Sequence, residues 1–114
     1  MNPTTQRLAA LKRANEIRER RKQLKLDLRS GQVLLAEALL SDADWLQTMR
    51  VRELLLATPG IGTQKTTHVL RVCRMSHFAP LGGLPLQRRR ELLVALMQRS
   101  PSLALAHREL GAVA

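Results

Sequence analysis

The chain has 114 residues, with 19 Lys plus Arg against 9 Asp plus Glu, a net charge of +10 and a pI near 11.6. That length holds one domain, or one small domain with an arm, and a hydrophobic fraction of 45% excludes a wholly disordered basic tail. Leu (23) and Ala (13) outnumber Val (6), Ile (2), Phe (1), Trp (1) and Tyr (0), which argues against a sheet and for an all-α fold.

Residues 4–30 read as one long helix. Thr4 or Thr5 is its expected cap, and Gly31 its left-handed stop. Ala10, Ala14, Ile17, Leu24 and Leu28 make a thin apolar stripe that Arg21 interrupts. At 1.5 Å per residue the helix is roughly 40 Å long. Residues 18–23 are wholly polar, so part of the helix is expected to project from the core. Residues 1–30 carry a net +6. The cations Arg18, Arg20, Arg21, Lys22 and Lys25 are therefore candidates for an anionic partner. With three acids interleaved, a merely solvated helix face is the alternative.

Residues 33–40 predict a short apolar helix, and residues 44–46 one further turn. Thr48 is expected to open a helix that turns Val51, Leu54 and Leu55 inward and ends before Pro59. After the hairpin taken up below, a helix should carry Val69, Leu70 and Val72 inward and Lys65, Arg71 and Arg74 outward. Residues 76–84 form a loop with Pro80 and Gly82-Gly83. Pro85 suits a first helical turn. The helix 86–98 should bury Leu92, Leu93, Leu96 and Met97. Arg88, Arg89 and Arg90 near its start oppose the helix dipole, which points to contact with an anion. Ser100-Pro101 stops this helix, and residues 102–110 are expected to form a last short one.

The most informative stretch is Pro59-Gly60-Ile61-Gly62-Thr63-Gln64-Lys65. Helix, Pro-Gly-Ile-Gly, helix is the pattern of a helix-hairpin-helix. The glycines permit a tight turn and bring bare backbone N–H groups to a helix N-terminus. That end carries about half a positive charge, so it is a ready seat for a phosphate. Thr63 is the expected cap, and Ile61 is expected to point back and lock the two helices. Residues 58–90 hold six basic residues and no acid. A simple structural helix–helix turn is the alternative.

The order of segments resembles the actinobacterial integration host factor family of small nucleoid-associated proteins. The residues that carry the resemblance are Ala14-Asn15-Glu16-Ile17-Arg18-Glu19-Arg20-Arg21, Leu28-Arg29-Ser30-Gly31, Met49-Arg50-Val51-Arg52-Glu53-Leu54-Leu55, Pro59-Gly60-Ile61-Gly62 and the 84–93 segment. It extends over roughly residues 7–98 in order and spacing. The resemblance implies a long basic helix (1–31) packed on a helix-two-turns-helix DNA-binding domain (32–99) shared with S13-like ribosomal modules. Residues 100–114 are then expected to be a C-terminal extension, a short helix or a flexible tail. It also implies binding of duplex DNA with little sequence preference, and its bending or compaction. The Gly60-Ile61-Gly62 turn would seat a phosphate, and Lys65 matches a basic position after it. Thr63 stands where the family commonly has Lys, and Phe78-Ala79-Pro80-Leu81-Gly82-Gly83 replaces an Arg-rich loop.

The expected function is non-enzymatic, architectural binding of double-stranded DNA through its phosphates. An RNA-binding or ribosome-associated module is the alternative. Only Gln64 and Asn15 suit base-edge reading, so shape and backbone contacts should dominate. No cofactor or metal is expected, because one Cys and the scattered His68, His77 and His107 fit no zinc pattern. Cys73 reads as a small apolar filler, and Trp45 as a core or edge residue. Scarce aromatics argue against binding single strands by stacking. No apolar run approaches the 18 or so residues of a membrane span. Lys12, Arg13 and Arg18 break any signal-peptide core, so a cytoplasmic, nucleoid-associated monomer is expected, with cooperative assembly on DNA as a further expectation.

Overall fold

The computed structural model describes residues 2–101, 103, 104 and 107. Helix α1 runs Pro3–Ser30. Asn2, not Thr4 or Thr5, is its cap: the side-chain oxygen accepts the Thr5 N–H at 2.7 Å, and Pro3 takes the first helical position. Gly31 ends α1 at φ 83°, with its N–H on the Leu28 carbonyl. Leu24 and Leu28 are buried, and Ala14, Ile17 and Arg21 are half-buried above them. Leu8 and Leu11 are 62% and 53% exposed. The first half of α1 therefore stands clear of the core, and the molecule measures 53 × 29 × 25 Å. Arg21 interrupts the stripe because its guanidinium reaches down, donating to the Trp45 carbonyl and the Thr48 hydroxyl.

The short helices α2 (Leu35–Leu39), α3 (Asp44–Gln47) and α4 (Val51–Ala57) follow. Next come α5 (Thr63–Val72), a 3₁₀ turn (Leu81–Gly83) and α6 (Leu86–Arg99). The fold of the described residues is all-α. Helix α4 is its centre: α1, α2 and α5 all pack against it, and α6 covers α5 and α2. Leu35, Leu39, Leu54, Leu55 and Leu92 are completely buried at that junction.

Four further local expectations change. Thr48 does not open α4. Residues 49–51 are instead held by residues 79–81, with Val51 N–H on the Ala79 carbonyl (3.0 Å) and Leu81 N–H on the Met49 carbonyl (2.9 Å). That pairing delays the helix until Val51. Thr63 is the first helical residue, and Gly62 occupies the cap position. Pro85 likewise stands at the cap of α6. Val72 points outward, 58% exposed, while Thr66 joins Val69 and Leu70 on the buried face of α5.

Pro101, Leu103, Ala104 and His107 are helical beyond Ser100. The remainder of the expected helix 102–110 lies outside the described residues. His107 is buried. Its Nε2 accepts the Ala36 N–H at 2.9 Å, and its Nδ1 donates to the Leu103 carbonyl at 2.8 Å. An imidazole thus supplies the acceptor for an orphan N–H in the first turn of α2.

Candidate nucleic-acid interface

The turn between α4 and α5 uses its two glycines for different reasons. Gly60 has φ 83°, a left-handed conformation that the turn itself demands. Gly62 has φ −91° and ψ −174°, open to any residue, and a Cβ there would meet nothing within 4 Å. The space over Gly62 is open. Ile61 is buried between the helices, with its N–H on the Thr58 carbonyl at 3.2 Å, so it locks the hairpin from within. The Thr58 hydroxyl donates to the Leu54 carbonyl at 3.0 Å and closes the end of α4. Gly62, Thr63, Gln64 and Lys65 are all exposed at the positive end of α5. Lys65 Nζ donates to the Gly60 carbonyl at 3.1 Å, holding a cation beside the turn.

The remaining cations of α5 and α6 do not gather at this turn. The Arg88 guanidinium donates to the Cys73 carbonyl, so the start of α6 meets the end of α5 and the helices run antiparallel. Arg74 and Arg90 are exposed at that far end, about 15 Å from the hairpin. Arg71 lies between, exposed on α5. Arg88 also pairs with Glu91 at 3.0 Å. Arg89 is half-buried and fully engaged within the fold, donating to the Leu84, Leu39 and Ser41 carbonyls and to Gln47 Oε1. Their position near the start of α6 is therefore explained in part by internal bonds.

On α1, Arg18, Arg20 and Lys22 are exposed, while Arg21 and Lys25 are half-buried. Lys25 pairs with Glu53 at 3.6 Å. A groove of about 410 Å³ beside α1 and α4 is lined by Arg18, Arg21, Lys22, Lys25 and Arg29, with Glu53 its single carboxylate. Arg29 is not among the candidates drawn from the sequence, and its i,i+4 spacing from Lys25 places it on the same face. Arg20 lies around the helix, beside Glu16 and Glu19.

Burial and the guanidiniums of Arg99 and Arg71 hold the His68 imidazole below its ordinary pKa. Burial raises the Cys73 thiol, in keeping with a packing role. Among the described residues no three His, Cys, Asp or Glu are placed to hold a metal, and no helix is long and apolar enough to cross a membrane.

No protein-family model matches the sequence, and no curated protein does. A solved structure, that of sIHF bound to an 8-base-pair palindromic DNA, matches this chain with a TM-score of 0.65 at 23% sequence identity. The match covers 71% of this chain and 93% of that one. The long helix on its group of short helices is thus an integration-host-factor-like fold.

Proposed function

We propose that this chain is a non-enzymatic architectural protein that binds duplex DNA through its phosphates. The observation that carries the reading is the exposed start of α5. Backbone donors, a helix dipole and Lys65 converge there over a glycine whose missing side chain the fold does not need. A phosphate approaching Gly62 meets donors and no Cβ. Backbone donors and mobile cations read phosphate position and not base identity, which supports low sequence preference. That sIHF was solved with DNA supports the same choice of partner. The groove along α1 supplies a second basic surface, and bending or compaction of DNA belongs to this proposal.

The test is a titration of a labelled duplex of about 26 base pairs at several salt concentrations. Contact with roughly four to six phosphates gives a log K against log salt slope of about −4 to −5. Gly62→Ala should weaken binding about tenfold, while its unfolding midpoint stays close to that of the wild type. Lys65→Ala/Arg71→Ala should flatten the slope by about two. An unchanged affinity in Gly62→Ala would reject the hairpin as the phosphate seat. Stronger competition by structured RNA than by duplex DNA would move the reading to RNA.

A further inference from the structure

The loop between α5 and α6 is pinned along its length. Backbone bonds tie Ala79 to Val51 and Leu81 to Met49. The Leu81 side chain is completely buried. Gly82 lies so close to α3 that an added Cβ would stand 2.9 Å from the Gln47 Cβ. Ser76 Oγ accepts the Phe78 N–H at 3.1 Å. Phe78, the chain's single Phe, stands out from this anchored segment with 69% of its surface exposed. The Arg50 guanidinium lies 4.9 Å from its ring centroid, so a cation covers one face of a ring that is otherwise largely exposed.

A single exposed apolar side chain is ordinary. Phe78 differs in being held: the loop beneath it is bonded to the core, and its ring is oriented by a cation. It also stands in a stretch, residues 58–90, that contains no acid. Helix α1 runs parallel to α4, because Arg21 meets Thr48 and Lys25 meets Glu53. The free half of α1 therefore projects past the end of α4 where Arg50 and Phe78 sit. Arg74 and the start of α6 belong to that same end.

Resting on the duplex-DNA reading, we propose that Phe78 is an apolar wedge that enters a base-pair step while Arg50 holds a neighbouring phosphate. Apolar wedges partly unstack a step and kink the duplex. A ring already fixed by its loop loses little further freedom on insertion.

The experiment compares wild type with Phe78→Ala on an intact duplex and on one with a central mismatch, using end-to-end energy transfer and several salt concentrations. The ring is exposed, so the variant should unfold at the wild-type midpoint. Unstacking is easier at a mismatch, so the wild type should prefer that duplex about tenfold and shorten its end-to-end distance. Phe78→Ala should lose both the preference and the shortening, with an unchanged salt slope, because no cation is removed. Equal preference and equal shortening in the two proteins overturn the wedge and leave duplex binding standing. A Phe78 effect confined to single strands also overturns it. Failure of the wild type to bind either duplex at low salt overturns the DNA reading, and the wedge with it.

Discussion

Arg89 and Arg90 are neighbours in sequence and opposites in environment. The Arg89 guanidinium spans the end of α2, the end of α3 and the turn before α6, with donor–acceptor distances of 2.9 to 3.2 Å. It places a cation where the carbonyls of α2 run out, which the helix dipole favours. Arg89→Ala should leave the Leu39, Ser41 and Gln47 acceptors without this partner. We expect a loss of about 2 kcal/mol in urea unfolding. Arg89→Lys should restore little of it, because a compact ammonium cannot span three acceptors in a fork. Arg90→Ala, at an exposed position, should change stability by no more than about 0.5 kcal/mol. A stability loss of equal size in both variants would contradict the strut assigned to Arg89. The run Arg88-Arg89-Arg90 gives no sign of this division, because the Leu39, Ser41 and Gln47 acceptors of Arg89 lie more than forty residues away in sequence.

Helix α1 shows how one element is divided by what lies beneath it. Its second half buries Leu24 and Leu28 against α4, while Leu8 and Leu11 face solvent. Leu28→Ala should therefore destabilise the fold by about 2 to 4 kcal/mol, the range for an emptied core site. Leu8→Ala/Leu11→Ala should leave the unfolding midpoint nearly unchanged. Comparable losses from the two ends would mean that the free half of α1 packs in solution. This division was legible in the sequence, since the polar turn 18–23 cannot lie on an apolar core. The stop at Gly31 and the Ile61 lock were legible for the same reason: each depends on chemistry within a few residues. The start of α4 was not, because it depends on residues 79–81, about thirty positions away. Val72 faces outward although it is apolar, because the buried row of α5 runs through Thr66, Val69 and Leu70. The hairpin was visible as a motif. The free space over Gly62 was not, because a sequence does not record what stands near a missing Cβ.

At the scale of the whole molecule, a charge of +10 is balanced by few contacts. Among the described residues the ion pairs are Lys25–Glu53 at 3.6 Å and Arg88–Glu91 at 3.0 Å, both open to solvent on one side. Exposed pairs of this kind contribute about 0 to 1 kcal/mol, so screening them removes little. The other cations repel one another across a small body, and such repulsion opposes the compact state. Raising salt from about 0.02 M to 0.3 M shortens the screening length from roughly 20 Å to 6 Å. The urea midpoint should therefore rise over that range. Duplex affinity should fall over the same range, since bound phosphates must compete with salt. On the proposed duplex binding the two trends have one origin: DNA and dissolved anions would both supply the countercharge that the fold lacks. Added duplex should then raise the melting temperature strongly at low salt and weakly at high salt, as binding linkage requires. A midpoint that stays flat or falls with salt would show that the cations are already compensated within the fold. The repulsion argument would then fail.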